Sequence, residues 1–199
     1  MRGSRPVRGP FGSGAVALGA WVTVCGRYKP AVIRGVIFAG DAGFSEATFT
    51  EYAWFGFVTF NKDAGFNEAT FTETTLFSGA TFTGDAQFDG ATFTGDAAFN
   101  WVTFWDARFG GATFTGDARF GKATFNKHAE FGKATFNGDT WFDAAIFRQP
   151  PHWPEGWRLE LLAYRARLVK VGEGEAVEGS TAPEGNCPQG DETPIDLPS

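Results

Sequence analysis

Between Ala31 and Phe147 the chain repeats one apolar/polar phrase of about eleven residues, Phe-x-x-Ala-Thr-Phe-x-x-x-Ala-x, as in FSEATFTEYAW, FNEATFTETTL, FDGATFTGDAA and FGKATFNGDTW. Large apolar centres fall at Ile33, Phe38, Phe44, Phe49, Phe55, Phe60, Phe66 and so on to Phe147, in alternating steps of five and six, with one lapse across Phe99, Phe104 and Phe109. Two residues before each centre stands a small residue, nearly always Ala, with Val36, Val58, Val102, Thr75 and Thr140 as exceptions. Repeats of this kind decide the architecture before any local propensity does.

An eleven-residue period also suits a right-handed coiled coil. At about 100° per residue, however, the two Phe of a repeat fall roughly 140° apart, so no single apolar stripe forms. Thr and Gly at nearly every turn further lower helix propensity. A flat strand fails as well, because a step of five sends successive Phe to opposite faces of the pleat. The spacing therefore predicts a chain that turns a corner every five or six residues and sends one Phe and one small residue inward from each short side: an all-β solenoid.

Units such as Ala80-Thr-Phe-Thr-Gly84, Ala91-Thr-Phe-Thr-Gly95 and Ala112-Thr-Phe-Thr-Gly116 resemble the pentapeptide-repeat family. The resemblance implies a right-handed quadrilateral β-helix in which four units make one coil and the small and central residues both point inward. This chain differs in adding a sixth residue to every second unit, commonly Asp (Asp41, Asp63, Asp85, Asp96, Asp117, Asp139), which predicts about 22 residues per coil and a bulge at a corner.

Read at that step, the outward positions separate into four sides. One carries Thr-x-Thr pairs (Thr48 and Thr50, Thr70 and Thr72, Thr92 and Thr94, Thr113 and Thr115). The next carries Trp54, Phe57, Leu76, Trp101 and Trp141, a candidate partner surface, since several outward aromatics on one side suggest a patch. A third has Thr59, Thr81, Thr103 and Thr124 with Trp105, and the fourth is mixed polar.

The rest of the chain divides around this block. Residues 1–30 form a basic segment that reads as a degenerate first coil, with Val22 and Tyr28 in phase; the alternative is an export or anchor signal. Residues 148–170 hold a Pro/Trp linker, Gln149 to Gly156, expected to end the solenoid because Pro cannot serve a continuing ladder. Trp157, Leu161, Tyr164 and Leu168 follow at i, i+4, i+7 and i+11, which predicts a helix capping the open end; the family resemblance implies that such a C-terminal helix can also serve dimerisation. Residues 171–199, rich in Gly, Glu, Pro and Thr, read as a disordered acidic tail.

Composition changes this picture little. Of 23 Phe, 21 are repeat centres, so the aromatic content is a core. The net charge of −6 is uneven: 14 acidic against 7 basic residues lie between Ile33 and Phe147, and ten of those acidic residues precede or include Asp106. Glu46, Glu51, Glu68, Glu73, Asp85 and Asp96 thus form a candidate acidic surface, and direct nucleic-acid binding is not expected there. Cys25 and Cys187, far apart in sequence, give no disulfide framework and point to a reducing, cytoplasmic setting.

Candidate chemistry is sparse. The two histidines, His128 and His152, stand without a phosphate-binding loop or nucleophile motif. His128 occupies the column of the corner Asp, whose expected role is to accept a backbone N–H of its own turn. No enzyme, cofactor or metal is expected. The expectation is a non-enzymatic scaffold for an unidentified protein partner, with a homodimer through the C-terminal helix as one form. The alternatives are a membrane-associated scaffold anchored by the basic N-terminus, an ice-binding solenoid suggested by the Thr ladder, and a version that the family resemblance implies. In that version, acidic rods mimic DNA, bind type II topoisomerases and protect them from quinolones.

Overall fold

The computed structural model describes residues 31–163 and 165–172, together with the backbone of three short strands before them, Ala17–Leu18, Val22–Thr23 and Arg27–Tyr28. The described part is an all-β solenoid whose two-residue strands pair in parallel with strands one coil away, as in Thr70↔Thr92 and Ala64↔Ala42. The four faces follow the chain. The first contains Thr59–Phe60 and Thr124–Phe125, the second Ala42–Gly43 and Ala64–Gly65, the third Thr48–Phe49, Thr70–Phe71, Thr92–Phe93, Thr113–Phe114 and Thr135–Phe136, and the fourth Ala53–Trp54, Thr75–Leu76, Ala97–Ala98, Ala118–Arg119 and Thr140–Trp141. Arg27–Tyr28 pairs with Thr48–Phe49, Val22–Thr23 with Ala42–Gly43 and Ala17–Leu18 with Ile37–Phe38, so the stack runs back before Ala31.

Each inward Phe lies on its equivalent in the next coil. On the third face Phe49 stacks on Phe71 at 4.7 Å between ring centroids, Phe71 on Phe93 at 4.9 Å and Phe93 on Phe114 at 4.8 Å, with the planes within 5° of parallel. Columns on the second and fourth faces meet edge to face across the axis, as Phe88 does with Phe99 at 5.6 Å and 84°. Both geometries suit the aromatic quadrupole, which adds to the burial free energy. The small residue two positions earlier is also buried, because a larger side chain there has no space beside the stacked rings.

Two kinds of corner explain the five/six alternation. At the five-residue corners a tight turn bonds the small residue back to the preceding Phe (Ala47 N–H to Phe44 C=O, 3.2 Å; Ala69 to Phe66, 3.1 Å) and places its third residue in the left-handed region. Those third residues form two columns: Glu46, Glu68, Gly90, Gly111 and Lys133 on one edge, Phe57, Gly79, Trp101, Lys122 and Ala144 on the other. At the six-residue corners the extra residue relaxes the turn. Where it is missing, between Phe104 and Phe109, the strands Thr81–Gln87 and Thr103–Arg108 run through the corner, and the register shifts between Phe82 and Asp85 to absorb the difference.

The corner Asp bonds differently from the sequence expectation. The Asp85 carboxylate takes the Arg108 guanidinium, while at three of these corners the carboxylate accepts the backbone N–H of the equivalent residue one coil on: Asp63 Oδ1 from Asp85 N–H (3.0 Å), Asp96 from Asp117 (3.2 Å) and Asp117 from Asp139 (3.1 Å). Asn67, Asp89 and Asn100 do the same along other columns. These carboxylates fasten coil to coil rather than closing their own turn. We expect Asp117→Ala to cost about 1–2 kcal/mol in urea unfolding, because the Asp139 N–H loses its acceptor. Asp117→Asn retains an acceptor and should cost less, even though it also gives up the exposed ion pair with Arg119. Equal losses in the two variants would show that the charge, and not the inter-coil bond, is what matters.

The C-terminal end departs most from expectation. The stack continues through the Pro run: His152 N–H donates to Ala129 C=O, Phe131 N–H donates to His152 C=O, and Trp153 takes the next place in the Phe131 column, stacked at 5.2 Å. Pro150 and Pro151 stand just before the position where the ladder needs a donor, so the run is tolerated. The predicted helix is instead an antiparallel hairpin, Trp157–Leu162 with Arg165–Lys170, whose second strand pairs with Thr140–Trp141. The last coil leaves open backbone groups on its fourth face. A strand answers them, with Phe142 N–H donating to Ala166 C=O and Ala166 N–H to Asp143 Oδ1, whereas a helix satisfies its backbone internally. Ala166 and Leu168 are buried over the end of the core, and Trp157 meets the edge of Phe136 at 5.7 Å.

Candidate interaction surfaces

The outward aromatics come from positions flanking the buried centres, but the structure divides them. Trp54, Leu76 and Trp141 lie on the fourth face and are half-buried. The Arg34 guanidinium sits 4.7 Å from the Trp54 ring centroid, and the Trp141 ring carries Arg165 at 3.6 Å and Arg167 at 5.5 Å. Cations over indole faces at such distances are attracted by the ring quadrupole. These Trp are therefore engaged within the chain, and the two arginines are further tied to Asp143 and Asp139.

Phe57 and Trp101 stand apart. They occupy the left-handed corner beside the fourth face, at φ 56° and 55°, and are 62% and 61% exposed. The corner conformation belongs to the turn, since Glu46, Glu68 and Lys122 share it; the choice of a large aromatic at two of its places is what distinguishes this edge. Gly79, between them in the column, leaves room for Phe57: a Cβ there would lie 2.7 Å from the Phe57 ring. Trp101 is met on one side by Lys122, 5.5 Å from its centroid. The edge is thus a ridge of two exposed rings with a glycine saddle between them and a lysine beyond.

The structure also separates the six acidic residues. Glu46 and Glu68 lie along one edge of the third face and Glu51 and Glu73 along the other, all four without an ion-pair partner among the described residues. Asp85 and Asp96 are neutralised, by Arg108 at 2.8 Å and Arg119 at 3.3 Å. His128, in the Asp column, bonds through Nδ1 to Asp106 at 2.9 Å, and His152 likewise to Glu130 at 2.7 Å. Of the four residues assigned to a C-terminal helix, Leu168 is buried, Trp157 half-buried and Leu161 exposed, all in the hairpin, while Tyr164 lies outside the described residues.

Sequence reasoning misses the partners of these rings, and leaves Trp105 out of the candidate surface. Trp105 is 45% exposed under Lys127, 4.8 Å from its centroid. The spacing does carry the signal: Lys127 follows Trp105, and Lys122 follows Trp101, by about one coil.

A family model described as pentapeptide repeats, in nine copies, matches residues 28–70, 77–124 and 105–146, more than half of the chain. The chain belongs to the pentapeptide-repeat family. Neither the curated proteins nor the solved structures contain a match. In this family member the repeat unit supplies the buried Phe columns, and among the described residues the side chains that differ from coil to coil lie at outward strand positions, at the corners and in the C-terminal hairpin.

Proposed function

We propose that this pentapeptide-repeat protein is a non-enzymatic scaffold that binds a protein partner along the ridge of Phe57 and Trp101. The observation that carries this reading is the exposure of two large aromatics in one corner column whose turn accepts glycine, as it does at Gly79. Nothing in the fold requires those rings, and leaving them in water forgoes the stabilisation that burial gives. Aromatic anchors of this type, rimmed by cations such as Lys122, are the usual centres of protein–protein binding energy. The solenoid supports them on a stack of rings and ladders that holds the spacing between the two anchors fixed.

The test compares wild type with Phe57→Ser/Trp101→Ser in pull-downs from extract of the native cell, with Thr59→Ser/Thr103→Ser on the neighbouring face as control. The ridge variant should keep its melting temperature within a few degrees and lose at least one partner that both wild type and control retain. Retention of every partner by the ridge variant would overturn the assignment.

A further inference from the structure

The first face differs from the rest of the surface in charge. In successive coils it is covered by residues 57–61, 79–83, 101–105, 122–126 and 144–148, aligned by the pairs Thr59↔Thr81, Thr81↔Thr103, Thr103↔Thr124 and Thr124↔Ile146. In a chain of net charge −6, these residues include no Asp or Glu. The carboxylates at the next corner are already engaged: Asp63 with the Asp85 N–H, Asp85 with Arg108, and Asp106 with Arg108 and His128. Lys122, Lys127 and Arg148 border the face. Among the described residues none of these three cations has a carboxylate partner, whereas Arg108, Arg119, Arg165 and Arg167 all do.

The same strip is a shallow channel along the solenoid axis. Trp101 stands exposed at one edge and Trp105 at the other, up to about 13 Å apart along the strand. Phe57 prolongs the first edge two coils away, and the half-buried Thr81, Thr103 and Thr124 form the floor. At about 4.8 Å per coil the strip from Phe57 to Arg148 is roughly 19 Å long, the span of about six extended residues. Its cations gather at the C-terminal end. Lys122 lies against Trp101 and Lys127 against Trp105, one on each edge. Arg148 follows one coil later, with its Nε donating to Asn126 Oδ1 at 3.0 Å.

We propose that the protein partner meets this chain through an extended acidic segment laid along the channel, with two neighbouring apolar residues over Trp101 and Trp105 and two neighbouring acidic residues beside them. Neighbours in an extended segment point to opposite sides, so the acidic pair presents one carboxylate to Lys122 and the other to Lys127. Each ammonium keeps donors for a carboxylate while it rests against its indole, and Arg148 adds a third cation in line. The class of ligand rests on the reading of the Phe57 and Trp101 ridge as a protein-binding edge. The sign of its charge rests on the first face alone, since complementary charge selects the partner and its register. A nucleic acid is less suited, because evenly spaced phosphates would leave the cations behind and pass the exposed Asp63 at the other end.

The experiment follows fluorescence anisotropy of labelled peptides titrated with the full-length protein, with circular dichroism to check the fold of each variant. The probe Ser-Leu-Leu-Glu-Glu-Leu-Leu-Ser has an apolar pair on both sides of its acidic pair, so it offers the segment in either direction. It should bind about tenfold more tightly than its Gln-Gln counterpart. Lys122→Glu/Lys127→Glu should invert the preference, releasing the acidic peptide and binding a Lys-Lys counterpart. Trp105→Ser, which leaves Phe57 and Trp101 in place, should weaken the acidic peptide about threefold or more. Lys133→Glu, on another corner, should change nothing. Equal binding of the acidic and Gln-Gln peptides would overturn the proposal, as would tighter binding of a labelled oligothymidylate. So would the absence of saturable binding, as when residues 173–199 hold the face in cis with their seven carboxylates. The ridge is judged separately: partners lost by Phe57→Ser/Trp101→Ser without any preference for the acidic peptide would leave the ridge standing and remove the acidic segment. A charge-selective channel in a protein whose ridge variant keeps every partner would do the reverse.

Discussion

Phe93→Asp is expected to abolish cooperative folding of the central coils, whereas Thr92→Asp, one residue earlier on the same strand, should melt within a few degrees of wild type. Phe93 is wholly buried between Phe71 and Phe114, at 4.9 and 4.8 Å, and meets the edge of Phe99 at 5.8 Å. Truncating such a ring to Ala typically costs about 3–5 kcal/mol. A carboxylate adds a desolvation penalty of several kcal/mol with no donor in reach, which exceeds the stability of an ordinary domain. Thr92 stands on the outer face between Thr70 and Thr113, where a carboxylate stays hydrated. Thermal melts followed by circular dichroism should therefore show a lost or strongly lowered transition for Phe93→Asp alone. Comparable melts for both variants would mean that the ring columns contribute much less than their burial implies.

The parts of this fold that are legible in the sequence are those that repeat. Phe71, Phe93 and Phe114 share one environment in successive coils, so periodicity alone separates inward from outward positions, and a 22-residue step recovers the four faces. What is not legible occurs once. Trp157, Leu161, Tyr164 and Leu168 fit a helical stripe, but Trp157, Leu159 and Leu161 alternate equally well with Arg158 and Glu160, as Ala166 and Leu168 do with Arg165 and Arg167. Propensity cannot choose between these periods. The choice is made by the open ladder of Thr140–Trp141, a tertiary demand that leaves no trace in the local sequence.

The candidate surface shows the same division. That Trp54, Phe57, Leu76, Trp101 and Trp141 point outward follows from phase. That Arg34 covers Trp54 while Phe57 stands clear depends on which side chain lies one coil away and on the corner geometry. Local sequence alone has the corner aspartates close their own turns, because that is the common role of Asp after Thr-Gly. Stacking offers Asp63, Asp96 and Asp117 an N–H in the following coil, and Asp96, Asp117 and Asp139 are joined in that way.

Gly116→Ala is expected to cost about 2–3 kcal/mol, more than Gly111→Ala, although glycine at position 111 has the more unusual backbone. Gly116 has no left-handed conformation to protect. Its constraint is space, since an added Cβ would lie 2.7 Å from the carbonyl carbon of Gly95 and 2.9 Å from Asp96 N in the coil beneath. Backbone cannot swing aside as a side-chain tip does, so the two coils must part locally. Parting them lengthens the Asp117 N–H bond to Asp96 and the 4.8 Å stack of Phe93 on Phe114. Overpacking of a rigid site generally costs about 1–3 kcal/mol, and this site has backbone on the opposing side. Gly111, at φ +66°, has nothing within 4 Å of an added Cβ, and its column already carries Glu46, Glu68 and Lys133 in the same conformation. Its replacement should cost only the left-handed penalty of about 1 kcal/mol. Urea unfolding of both variants decides the matter, and a larger loss for Gly111→Ala would show that corner dihedrals, and not the approach of stacked backbones, govern where this solenoid needs glycine.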